Sequence, residues 1–143
     1  MTQLVERWMR PLVLFAITLL YLMVWGFAGI GKVIDGRPPW FAEKFGPTFL
    51  GRFPGVAASF WWLTLMELLA FALAAMALLR FEFLRQPAAP WLKGSLTISL
   101  FVFLQLGFGL WLTNDFNGGF QQFVYFGLTL VAIQYVQRTP QVG

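Results

Sequence analysis

The chain has no histidine and no cysteine among its 143 residues. That absence excludes His- or Cys-ligated haem, iron–sulfur clusters, thiolate zinc sites, disulfides and a cysteine nucleophile. It also removes any redox clue to the compartment. Charge is nearly as scarce. Charged residues make up 11%, against about 25% in a soluble domain, too few to cover a water-facing surface. What fills their place is apolar: 59% hydrophobic residues, 17 Phe and 7 Trp, with a mean hydropathy of +0.70. Abundant aromatics suit a bilayer with interfacial belts. The net charge of +4 does not point to nucleic acid. The basic residues sit at the ends of apolar runs and form no single face.

A membrane span takes about 20 mostly apolar residues. Four such runs are read here, over 11–32, 56–79, 92–113 and 120–135. The expected fold is therefore all-α: a single transmembrane domain, 1–143, built as a four-helix bundle. The first run is too long for a signal-peptide core and no A-x-A site follows it, so it is expected to remain as a span. An even number of spans puts both termini on one side. That side collects Arg7, Arg10, Arg80, Arg85, Lys93 and Arg138, against Lys32, Arg37, Lys44 and Arg52 on the other. The positive-inside rule then places both termini in the cytoplasm. The expected location is a bacterial inner (cytoplasmic) membrane, crossed several times.

The first run ends in "WGFAGIGKVIDG". Glycines beside a lysine suggest a phosphate loop, but that motif needs a preceding strand and a Ser or Thr after the lysine. Here Val33 follows Lys32. The reading adopted is a helix exit, with Gly26, Gly29 and Gly31 for close helix packing and Lys32 reaching to the headgroups. In the outer connection, Phe41, Phe45, Phe49 and Phe53 recur every four residues after Pro38-Pro39. This predicts an amphipathic interfacial segment, either a simple anchor or a lid over a pocket between the helices.

Glu67 is the single charge deep in a run. Ala70, Ala74 and Ala77 share its helix face, and small residues mark where spans pack. Glu67 is thus expected to face the bundle. An acid at that depth is a functional-site hypothesis by default. Tyr21, Gln105 and Thr129 are expected to converge on it, with Trp25 and Tyr125 nearer the outer side. This set is either a structural clamp or the lining of a pocket for a quinone or lipid. Lys32, Asp35 and Asp115 are assigned to the outer interface, Asp115 most simply as part of a turn. No residue is given a catalytic role and no metal site is expected.

Three stretches carry a family resemblance. "FAGIGKVID" before a long outer loop, "LMELLAFALAAMALL" and "NDFNGGFQQFVYFGLTLVAI" together resemble DoxX-like membrane proteins, from the first-helix exit through the second helix to the start of the fourth. Carried over by position, the resemblance touches Gly29, Lys32, Asp35 and Glu67. The chain departs from it in "LAFALAAM", which has alanines and Phe71 where the family often has glycines. The resemblance implies a small membrane subunit, a non-catalytic accessory of a larger redox or energy-transducing complex with other membrane subunits and lipids as partners. A second reading it implies is a quinone-binding subunit of a quinone-linked oxidoreductase of the thiosulfate:quinone type. A third reading is a lipophile-binding or transport protein.

Overall fold

The computed structural model describes residues 1–85 and 88–138, and those residues are all helix and connection with no strand. The chain begins with a helical rod of 34 residues, Thr2–Asp35. It comprises α1 (Thr2–Trp25), a π-helical stretch (Gly26–Ile30) and α2 (Gly31–Asp35). The outer connection folds into two short helices, α3 (Pro39–Phe45) and α4 (Phe49–Arg52). Then come α5 (Val56–Leu79), a single turn α6 (Glu82–Arg85), α7 (Pro90–Leu112) and α8 (Phe116–Gln137).

The first rod starts nine residues before Pro11, where the sequence reading placed it. Pro11 removes one backbone donor and sets its ring against the Arg7 carbonyl, but most residues before it, among them Gln3, Leu4, Glu6 and Met9, are good helix formers, and the helix runs through. The rod stops at Gly36, whose φ of 71° favours a residue without a Cβ. The boundaries of α5 match the expected 56–79. Both α7 and α8 begin a few residues earlier than expected. Pro90 is a suitable first residue for α7, and the Asp115 carboxylate caps α8 by accepting from the Gly118 N–H at 3.0 Å.

Three of the helices, the first rod, α5 and α7, are long and apolar enough to cross a membrane. Helix α8 has similar length, 22 residues, but carries Asn117, Gln121, Gln122 and Gln134 and is less apolar. The main packing runs α1 on α5, α5 on α7 and α7 on α8. Leu14, Trp25, Leu92 and Leu96 fill the centre, and Ala70, Ala74 and Ala77 are fully buried along α5. Their small size lets α7 come close enough for Ser95 Oγ to donate to the Ala70 carbonyl at 2.7 Å. Outside, large apolar side chains stand free, among them Phe27, Ile34, Leu79 and Phe123. Apolar surface exposed this widely marks contact with a membrane or with other protein.

At the end that carries the termini, Arg10 donates to the Tyr135 and Val136 carbonyls at 3.3 and 3.1 Å, joining the start of the chain to the last turn of α8. Glu82, overlooked in the sequence reading, is 2% exposed. Its two oxygens accept from the Trp91 and Leu92 N–H groups at 3.0 Å each, closing the otherwise open start of α7. Glu82→Ala is expected to destabilise the protein by about 1–2 kcal/mol, the loss of a helix cap. Thermal unfolding in detergent, followed by tryptophan fluorescence, measures this, and an unchanged midpoint would remove the capping role.

Candidate functional site

Glu67 lies eleven residues into α5, about 16 Å along its axis, roughly half of the ~30 Å hydrocarbon thickness. Its side chain is 2% exposed and is met by Lys32 Nζ, at 2.6 Å from Oε1 and 2.7 Å from Oε2. Lys32 therefore does not reach to the headgroups, which corrects the helix-exit reading of its role. The reason is Gly29. A Cβ there would lie 3.3 Å from the Leu68 backbone nitrogen and 3.0 Å from its Cδ2, so the bare glycine sets the π-helical stretch directly against α5. One turn further on, Lys32 then lies beside Glu67. The sequence did hold a signal: two lone opposite charges in separate apolar runs are each costly alone and far less so together.

The remaining polar residues do not converge on Glu67 as expected. They form two separate seams. Tyr21, on α1, lies 2.7 Å from Thr129 Oγ1 on α8. Thr129 gives its proton to the Tyr125 carbonyl, which leaves Tyr21 as donor. Trp25 Nε1 donates to Ser99 Oγ at 2.8 Å, and Ser99 donates onward to the Ser95 carbonyl. Ser95 and Ser99 were not singled out in the sequence, because one hydroxyl among apolar residues reads as a weak signal. The Tyr125 side chain is 43% exposed and touches Phe103, with ring centres 5.7 Å apart. Tyr21→Phe is expected to cost about 0.6–2 kcal/mol, as for other hydrogen bonds between spans. Unfolding of this variant in detergent tests that, and a stability equal to wild type would show the seam to be idle.

Gln105 faces a different space, a cavity of about 670 Å³ at the end of the bundle that carries α3. Its floor holds Gly31, Lys32 and Asp35 from the end of the first rod, its back wall Phe60 and Leu63 from α5, and its far wall Gln105 and Phe108 from α7. The roof is α3. Phe41 and Phe45 are buried there, with Phe41 packed edge-on to Phe60 at 5.1 Å between ring centres. Phe49 and Phe53, the next two in the four-residue series, are 59% and 69% exposed. The outer segment thus divides into a roof and an outward-facing pair. Lys44 at the edge of the roof lies 3.6 Å from the Asp115 carboxylate, in a partly exposed pair.

The chamber is apolar and aromatic with a few polar groups, the usual make-up of a small-molecule site, and its size is within the usual range of about 300–1,000 Å³. An ammonium has three donors. Two of those on Lys32 serve Glu67, and the third is left for the chamber, where the Lys32 side chain is 26% exposed. Gln105 and Asp35 line the same space. No group of three or more acidic residues gathers for a metal among the described residues. Compared with protein-family models, curated proteins and solved structures, the chain matches none, so the DoxX-like resemblance remains a proposal.

Proposed function

We propose that the chain is a four-span protein of a bacterial inner membrane, with both termini in the cytoplasm, and that it binds a lipophilic small molecule in its outer chamber. The chamber carries this reading: an aromatic-walled space of about 670 Å³ whose floor is a lysine held by a buried carboxylate. Held this way, Lys32 presents one donor from a fixed position. Gln105 offers a second donor and an acceptor across the space. With neither a cofactor-binding fingerprint nor a thiol in the sequence, the chain is read as a binding protein and not as a catalyst. The DoxX-like resemblance suggests a quinone, whose carbonyls would accept from Lys32 and Gln105 but would bring no donor to Asp35, which lines the same space.

The uncovered side of α8 favours a second, compatible role as an accessory subunit of a larger membrane redox or energy-transducing assembly. Helix α8 is not among the helices apolar enough to cross a membrane by composition, and it packs chiefly on α7, with Arg10 and Tyr21 of α1 reaching it by hydrogen bonds. A polar-flecked span is better matched by another protein than by acyl chains.

The test is what copurifies. Gentle extraction followed by mass spectrometry is expected to find a hydrophobic small molecule in stoichiometric amount. Replacing the ion pair with Lys32→Met and Glu67→Met together should release it while keeping the fold. Wild-type protein that is consistently empty would overturn the reading. For orientation, a periplasmic reporter fused after Arg138 should stay silent, and activity there would invert the topology.

A further inference from the structure

The chamber is not closed on all sides. The outer third of the first rod packs on α5 but makes at most marginal contact with α7 or α8. Phe27 on that rod and Phe108 on α7 line the cavity while remaining 81% and 53% exposed on the outside of the bundle. The gap between them therefore runs sideways out of the chamber at membrane depth. Above it α3 forms a roof, and below it Trp25 and Ser99 join the two helices. A molecule dissolved in the outer leaflet reaches the polar floor through this gap without passing through water.

The charges around the chamber select its head. Lys32 is neutralised by Glu67 and Lys44 stands beside Asp115. Asp35 lines the same space with no ion-pair or hydrogen-bond partner among the described residues. An anionic head would meet that carboxylate, and an ammonium head, which only donates, would leave the third Lys32 donor without an acceptor. An ionised carboxylate only accepts hydrogen bonds, whereas Lys32 only donates and Gln105 does both. A head that satisfies all three must donate and accept without charge, which describes hydroxyl groups on a neutral scaffold.

Resting on the reading of the chamber as a ligand site, we propose that it takes a single-tailed, uncharged, hydroxyl-bearing amphiphile of the monoacylglycerol type from the outer leaflet. The head sits on Lys32, Gln105 and Asp35, and the tail leaves between Phe27 and Phe108.

Gly31 gives the means of testing access. A Cβ at Gly31 meets nothing within 4 Å and Gly31 lines the chamber floor, so Gly31→Trp is the variant that fills it. Gly127 on the outside of α8 is equally open, and Gly127→Trp is the control. The experiment uses the full chain in phosphatidylcholine vesicles with photoreactive probes carrying the same acyl chain: a monoacylglycerol, a fatty acid, an alkylammonium and a quinone. Labelled residues are mapped by mass spectrometry. The monoacylglycerol is expected to label the walls around Phe27 and Phe108, to lose that labelling in Gly31→Trp and to keep it in Gly127→Trp. Stronger chamber labelling by the fatty acid, the alkylammonium or the quinone would overturn the choice of head while leaving the chamber as a binding site. Labelling around Phe27 and Phe108 that survives Gly31→Trp would overturn occupancy of the chamber, since both residues also face outward. No chamber labelling by any probe would overturn the ligand site itself.

Discussion

Glu67→Ala is expected to destabilise the protein by about 3–5 kcal/mol, because removing one partner of a buried ion pair leaves the other charge without compensation. The expected value lies toward the lower end, since Lys32 keeps 26% of its side-chain surface open to the chamber while Glu67 keeps 2%. The reverse change, Lys32→Met, strands the carboxylate instead, and should be at least as damaging because that group is the more deeply buried. The combined variant Lys32→Met with Glu67→Met removes both charges and fills the space with flexible apolar side chains. Its stability should return close to wild type, as happens when buried ion pairs elsewhere are replaced by hydrophobic groups of similar volume. The two single variants and the double form a cycle whose non-additivity measures the coupling directly. Denaturation in detergent gives the three values. Single variants that change stability by less than about 1 kcal/mol, the range of a solvated surface pair, would show that water screens Lys32 and Glu67 from one another.

The second large effect belongs to Gly29→Leu. Here the space is already taken: Leu68 Cδ2 would lie 3.0 Å from the new Cβ and the Leu68 backbone nitrogen 3.3 Å from it. A leucine adds three further carbons in the same direction. Overpacking of this kind costs about 1–3 kcal/mol. In this position it also pushes the end of the first rod away from α5 and takes Lys32 off Glu67. The variant should therefore lose more stability than overpacking alone explains, and most of the excess should vanish when Gly29→Leu is made in the Lys32→Met, Glu67→Met background. Gly31→Leu, two residues on and facing open space, should leave the unfolding midpoint unchanged. If Gly29→Leu were as well tolerated as Gly31→Leu, the close approach of the rod to α5 would be refuted.

Much of the helical layout can be read from the residues, and the reason is physical. A helix in hydrocarbon satisfies its own backbone and needs only a long apolar run, so α5 and α7 announce themselves. The small-residue face of Ala70, Ala74 and Ala77 likewise predicts a close helix contact, because close approach depends on side-chain size; that α7 fills it is known only from the fold. Lys32 was misplaced because its partner is 35 residues away in the chain, and helix periodicity carries no information across spans. Glu82 was missed for the opposite reason. It stands in a connection, where a glutamate reads as solvated, and only the fold brings the start of α7 over its carboxylate. The Phe41–Phe53 series was legible as a repeat. Which pair would turn inward was not, since that depends on Phe60, a residue of another helix.

The separation between Lys32 and Glu67 has a consequence for how the polypeptide is made. The ribosome delivers the ammonium first, and the carboxylate follows after 35 further residues, roughly 2–7 s later at usual synthesis rates. During that interval the lysine has no counter-charge and is best accommodated at the lipid surface by its long stem. On the proposed membrane reading, the nascent first segment would then be drawn inward when the second arrives. Biogenesis of this protein would thus proceed by hairpins, with the leading pair of segments entering the bilayer as one neutral unit.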